Sequence, residues 1–329
     1  MTTTTWRPGM PTSDMHAGQV PMQTGYQLAS HLLGDVMQTE APDQLVKWQA
    51  LQAGKDPQVL VVDGCYDHMH LILEASGIPF ARLGEPALLA AALEEHPMVK
   101  AVLINCGRTF PEASARTAAA FVERGGLLVT TDWALENVLE VGFPGTVKHN
   151  GKTTDGHVFV DVEFGDPRKK ALPAPSLASH RVMAKLAGAS SAKPRWWLEP
   201  TSYPIARLTD DLDILIYSPQ MKTGYGSGSV MVRFRHGAGW VYHMVSHAFL
   251  QHKAPGDWAK ASADPNDAPS TVLYTSLMGA SPKTTEAYEA AEQADPEFDE
   301  AAAANTSLST AALLLPIFEA TKLDTDTGR

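Results

Sequence analysis

The sequence predicts an α/β protein built on a doubly wound, mainly parallel sheet. Two observations predict it. Apolar runs and helix-like runs alternate four times within residues 58–142, and strands lying parallel to their neighbours need such a helical return between them. The apolar runs are also nearly continuous, as expected of strands covered on both faces.

The elements come in order. "QVLVVDG" (58–64) reads as the first strand and "DHMHLILEASG" (67–77) as a helix stopped by glycine. "IPFARLG" is the second strand, and "PALLAAALEEHP" is a helix with proline at its start, where a missing N–H costs nothing. "KAVLINC" (100–106) is the third strand, and "PEASARTAAAFVERGG" is a helix opened by Pro111 and closed by a glycine pair. "LLVTTD" is the fourth strand and "WALENVLEVG" the helix after it. Upstream, "GYQLASHLLGDVM" and "PDQLVKWQALQAG" look helical, behind a Thr-, Pro- and Met-rich flexible arm at 1–22. From about 143 to 235 the pattern turns β-rich, broken by a short helix at 175–188. A hairpin turning at "HGAG" brings in "WVYHMVSH" as a buried strand. The expected organisation is an arm at 1–22, an α/β domain at 23–255 containing the β-rich insertion, and a loop with a helical C-terminal extension at 256–329.

Composition narrows the function. The net charge is −11 over 329 residues, and the longest basic run is Arg168-Lys169-Lys170, so a nucleic-acid partner is not expected. Two cysteines, Cys65 and Cys106, make no disulfide framework and fit a reducing compartment. No run approaches the ~18 apolar residues of a membrane span, and the N-terminus has neither the basic nor the apolar part of a secretory leader. A cytoplasmic protein without a membrane partner is expected.

The block "FVERGGLLVTTD" (121–132) and the late block "FRHGAGWVYHMVSH" (234–247) carry a family resemblance. Over roughly residues 57–250 the chain resembles the class I glutamine amidotransferase-like superfamily, and within it the trehalose-utilisation-type branch. The resemblance implies a flavodoxin-like sheet and, in catalytic members, a cysteine nucleophile on a strand-to-helix elbow served by a late histidine. Here the elbow position reads Thr130-Thr131-Asp132-Trp133-Ala134, with no cysteine and no flanking glycine for a strained turn, and a His-Pro-Glu pattern is missing. Glutaminase chemistry is therefore not expected, and Asp132 reads best as a helix N-cap.

Ligands of open parallel sheets bind at the carboxyl ends of the strands. The residues landing there are Asp63, Cys65, Asp67 and His68 after the first strand, Cys106 and Arg108 after the third, Thr131 and Asp132 after the fourth, and His243, Ser246 and His247 on the late strand. Cys106 or Cys65 could serve as a nucleophile with His247 as base and Asp132 or Asp63 orienting it. The Asp and His residues have metal-binding chemistry, but His243 and His247 on one extended strand would lie about 13 Å apart, which speaks against a shared ion. No metal and no cofactor are expected. "PRWWLEPTSYPI" (194–205) suggests an aromatic platform of Trp196, Trp197, Glu199 and Tyr203. The C-terminal "AALLLPIF" reads either as a helix folded back on the domain or as a docking helix. The leading expectation is a non-glutaminase binding or assembly component of a protein complex, self-associating or meeting a protein partner and taking a small-molecule ligand. The alternative is a hydrolase or transferase using a Cys nucleophile or a divalent metal on the same rim.

Overall fold

A computed structural model of the chain describes residues 2–10, 20–156, 158–165, 167, 174–188, 194–248, 271–294 and 300–320. The chain enters through a short strand, β1 (Thr4–Trp6), and two helices, α1 (Val20–Glu40) and α2 (Pro42–Ala53). Strands and helices then alternate: β2 (Val59–Val62), α3 (His70–Ala75), β3 (Phe80–Leu83), α4 (Leu89–Glu95), β4 (Ala101–Ile104), α5 (Glu112–Glu123) and β5 (Leu127–Thr131). A π-helical turn, Leu135–Leu139, runs into α6 (Glu140–Gly142). The next stretch holds β6 (Val147–His149), β7 (Val158–Asp161), β8 (Glu163–Phe164), α7 (Ala174–Gly188), β9 (Arg195–Leu198), β10 (Ile205–Arg207), β11 (Leu212–Tyr217), α8 (Pro219–Tyr225), β12 (Ser229–His236) and β13 (Gly239–Met244). Three helices close the described chain: α9 (Thr271–Met278), α10 (Pro282–Ala294) and α11 (Glu300–Ala320). The loop expected over 253–270 lies outside the described residues for nearly all its length, as does most of the arm's second half.

One large sheet of nine strands organises these elements, in the order β1-β3-β2-β4-β5-β13-β12-β11-β8. Its central five strands, β3-β2-β4-β5-β13, are mutually parallel. Every residue of β2, β4 and β5 is buried, which is why these strands read as unbroken apolar runs. The late hairpin joins this same sheet. Its second strand pairs parallel with β5, Trp240 opposite Leu127 through Met244 opposite Thr131, while β12, β11 and β8 continue antiparallel beyond it. Gly239 makes that junction feasible: a Cβ there would fall 2.2 Å from the Gly126 carbonyl oxygen. Two small pairs, β6 with β10 and β7 with β9, stand outside the sheet.

Helices cover both faces. α5 packs with α4 and α6 on one side; α1, α2, α3, α7 and α11 group on the other. The core runs unbroken through both layers. α11 lies deepest, with every residue from 306 to 318 buried and Phe318 stacked on Trp48 at 5.3 Å. Its apolar side is thus covered within the chain by α1, α2 and α7. No helix among the described residues is long and apolar enough to cross a membrane.

Candidate functional site

Three strand ends and one loop build the site. β2 and β4 lie side by side, and the chain leaves them in opposite directions across the sheet, so their carboxyl ends open a crevice. Gly64 lets the two exits touch: a Cβ would sit 2.1 Å from the Cys106 carbonyl oxygen, which instead accepts the Cys65 N–H at 2.8 Å. Cys106 comes just after β4 and is buried; its N–H donates to Thr131 Oγ1 at 3.2 Å. Asp132 ends β5, Ser246 and His247 come after β13, and Glu199 and Ser202 belong to the turn after β9.

Asp132 does not cap its helix. Its carboxylate accepts from the Tyr203 N–H at 2.9 Å and from Ser202 Oγ at 3.3 Å, and Cys106 Sγ lies 3.9 Å away. The helix start is held instead by the Asp132 main-chain carbonyl, which accepts the Leu135 N–H at 2.9 Å. The backbone here has φ +45°, the left-handed region, although no glycine flanks it. Aspartate tolerates that region better than most residues, at a cost of order 1–3 kcal/mol. The expectation of a relaxed N-cap is therefore corrected: the turn is strained, and its side chain faces inward.

His247 completes the cluster. Its Nε2 lies 3.5 Å from Asp132 Oδ2 and its Nδ1 lies 3.5 Å from Glu199 Oε1. β13 ends at Met244, and Ser246 turns at φ +65°, so the extended spacing assumed between His243 and His247 does not apply. Ser246 Oγ and Ser202 Oγ share a hydrogen bond of 2.9 Å, and Ser202 Oγ also donates to Glu199 Oε2 at 3.4 Å. Cys106, Asp132, Glu199, Ser202 and His247 are all under 9% exposed. Burial pushes the Asp132 carboxyl up to about 7 and the Glu199 carboxyl up to about 8, and pushes His247 down to about 3. Burial, then the Asp132 charge, raises the Cys106 thiol well above its ordinary value, with only the Trp133 N–H pulling the other way. A nucleophilic thiolate is not what these surroundings favour. Cys106 Sγ, an Asp132 oxygen and a His247 nitrogen all lie within 4.8 Å of one another, an arrangement able to hold a metal ion.

The other sequence candidates distribute around this centre. Asp67 is buried beside it, its Oδ2 accepting the Ala248 N–H at 3.4 Å. Asp63 turns away to the β3 side, paired with Arg82 at 2.7 Å. Cys65 is exposed, and His68 packs edge-on to His70 at 5.6 Å. Trp196 and Trp197 are each 2% exposed, so they offer no open stacking face; Trp196 Nε1 donates to the Val245 carbonyl. The aromatic surface forms elsewhere. Tyr66 stacks over His247 at 6.3 Å and meets Trp133 edge-on at 5.3 Å; Trp133 stacks on Tyr203, and Tyr203 on His149 at 4.0 Å. Arg108 lies over Tyr66, its Nε donating to the Tyr66 hydroxyl at 2.5 Å. Sequence reasoning passed over Ser202, Tyr66 and Trp133, and gave Glu199 an aromatic role. The one available signal for Glu199 was an acid between two prolines in an otherwise apolar strand exit.

His243 stays out of the cluster. It is fully buried, its Nδ1 bonded to Thr130 Oγ1 at 2.8 Å, and burial pushes it down to about 3. Its neutral form is thus favoured by folding, a contribution present above pH ~6.5 and lost as pH falls toward 3. His243→Gln should remove up to ~1.4 kcal/mol per pH unit from the acid-side slope of stability below pH ~6.5. Urea unfolding midpoints from pH 7 to 4.5 check this; equal slopes in the two proteins would refute it.

No family model and no curated protein matches the chain. Solved structures do. An exo-β-1,4-mannosidase from Opitutaceae bacterium strain TAV5 is 11% identical, over 59% of this chain and 32% of its own, with a TM-score of 0.36. A β-galactosidase from Rahnella sp. R3 is 10% identical, over 57% of this chain and 28% of its own, with a TM-score of 0.34. The chain thus spans about a third or less of these two proteins. A ThuA-like protein from Bacteroides uniformis is 12% identical, over 58% of this chain and 82% of its own, with a TM-score of 0.38. The chain is an α/β protein, and this ThuA-like protein is among the solved structures it is similar to.

Proposed function

We propose that the protein is a metal-dependent hydrolase of a small molecule, built on a flavodoxin-like, amidotransferase-like frame. The frame is supported by the order of its parallel strands, 2-1-3-4-5 when counted along the chain. The function rests on one observation: the convergence of Cys106, Asp132 and His247 with Glu199 behind the histidine. A tetrahedral ion with bonds of about 2.0–2.3 Å spaces its ligand atoms about 3.3–3.8 Å apart. The Asp132–His247 separation of 3.5 Å falls in that range, and the Cys106–Asp132 separation of 3.9 Å falls just outside it.

Three protein ligands leave a fourth position for water, the pattern of catalytic rather than structural sites. A divalent ion there would supply a hydroxide at neutral pH. Glu199 accepts from the His247 main-chain N–H at 3.3–3.4 Å and lies 3.5 Å from Nδ1, a placement that would favour the tautomer with Nε2 free for the ion. Ser202 holds both carboxylates in place. Tyr66, Trp133 and Tyr203 screen the centre from water.

Cobalt(II) added to chelator-treated protein tests this. The expected result is about one ion per chain, with a thiolate charge-transfer band and the intense visible bands of a four-coordinate site. Both bands disappear in Cys106→Ser and His247→Ala. No saturable uptake would sink the metal centre. The left-handed Asp132 backbone favours a second reading from the same residues. Asp132 would attack an electrophilic carbon of the substrate and displace its leaving group to form an ester, and water deprotonated by His247, oriented by Glu199, would then cleave that ester at the Asp132 carboxyl carbon, releasing the substrate's hydroxyl product. In that case cobalt is not bound, and a single turnover in heavy-oxygen water labels the Asp132 carboxylate.

A further inference from the structure

A second cavity, of about 50 Å³ and partly open, lies between the antiparallel half of the sheet and helices α7 and α11. It shares no residue with the strand-end cluster. Its walls are apolar, contributed by Met183, Leu215, Met231 and Leu315. Its polar lining is Ser179, His180, Arg233, Tyr242 and Glu319, with Ser179 Oγ donating to Glu319.

Arg233 is 1% exposed and only partly satisfied. Its Nε donates to Asp213 at 3.0 Å, and its Nη1 donates to the Tyr242 hydroxyl at 3.3 Å, 3.8 Å from Glu319. The Trp240 ring covers the guanidinium at 4.7 Å. Nη2 has no partner. A buried cationic donor without an acceptor is costly, and native interiors pair nearly all such groups. An acceptor belongs there. Asp213 already balances the guanidinium charge, and burial raises the Glu319 carboxyl toward its neutral form. A ligand head therefore needs an oxygen acceptor and does not need a charge.

We propose that this cavity binds a small, mainly apolar molecule ending in a carbonyl-oxygen head, of the kind a medium-chain carboxylic acid or its amide presents. The head takes the hydrogen bond of Arg233 Nη2, and the chain lies along Met183, Leu215 and Leu315.

Calorimetric titration of the full chain with octanoate and, separately, with octanamide tests the site. Saturable one-to-one binding is expected, weakened at least tenfold by Ala312→Leu, which fills the cavity, and by Arg233→Met, which removes the donor. Binding of octanoate alone identifies a charged head; binding of octanamide, with or without octanoate, identifies a neutral one. Removing a buried ion pair can itself unfold a protein, so Ala312→Leu decides the case if Arg233→Met does not fold. No saturable binding of either compound, or binding that survives the cavity-filling change, overturns the proposal and assigns Nη2 to ordered water.

Discussion

A chain ending at Asn305 is expected not to fold. That truncation removes the buried half of α11, including Leu308, Leu313, Leu314, Leu315, Ile317 and Phe318. Each such side chain contributes about 1.5–3 kcal/mol by burial. Six together match or exceed the ~5–15 kcal/mol by which a domain is stable, and the facing surfaces of α1, α2 and α7 are left bare. Circular dichroism and light scattering of the truncated protein provide the readout, with aggregate or an unfolded chain expected. A single change scales the effect: Phe318→Ala, which loses the stack on Trp48, should cost about 3–5 kcal/mol and leave the mass unchanged. A truncated monomer with an unaltered melting point would show that α11 is a detachable docking helix.

The second large effect is expected at Asp132, where stability and function should move in opposite directions. Asn keeps the shape, accepts from the Tyr203 N–H as before, and tolerates the left-handed backbone. It removes the buried carboxylate. Asp132→Asn should therefore raise the stability of chelator-treated protein by about 0.5–2 kcal/mol, as is common when a site residue is replaced. It should also weaken cobalt binding at least tenfold. Melting curves and a cobalt titration on the same preparation measure both. A less stable protein that still binds cobalt would make Asp132 a structural residue.

The four βα units were legible because β2, β4 and β5 are buried on both faces, and burial on both faces writes itself as an apolar run. The parallel pairing of β13 with β5 was not legible. A hairpin fixes its own two strands locally, but its partner in the sheet is chosen by packing at Gly126 and Gly239. Site legibility split in the same way. Cys106, Asp132 and His247 were expected on one rim because strand ends point there, and the structure brings them within 4.8 Å of one another. The direction of Asp132 was missed because its partners are distant along the chain: Tyr203 and Ser202 lie some seventy positions away and meet it only across the fold. Trp196 and Trp197 drew attention by their size, yet it is Glu199, just beyond them, that reaches the centre. Residues 306–318 of α11 gave no amphipathic signal because all of them are buried, so no exposed side marked a face there.

The ends of the large sheet have a consequence for how this protein meets copies of itself. A parallel sheet with long open margins presents rows of unpaired amides that can template another strand. Here the margin of β3 is closed by three residues of β1 in reverse direction, Thr4 opposite Arg82 through Trp6 opposite Phe80, with the Trp6 ring stacked on Phe80 at 5.6 Å. The opposite margin finishes in the two residues of β8. Neither end strand is long enough to recruit a neighbour. The three residues of β1 thus close the margin of β3 to edge-to-edge pairing with another strand.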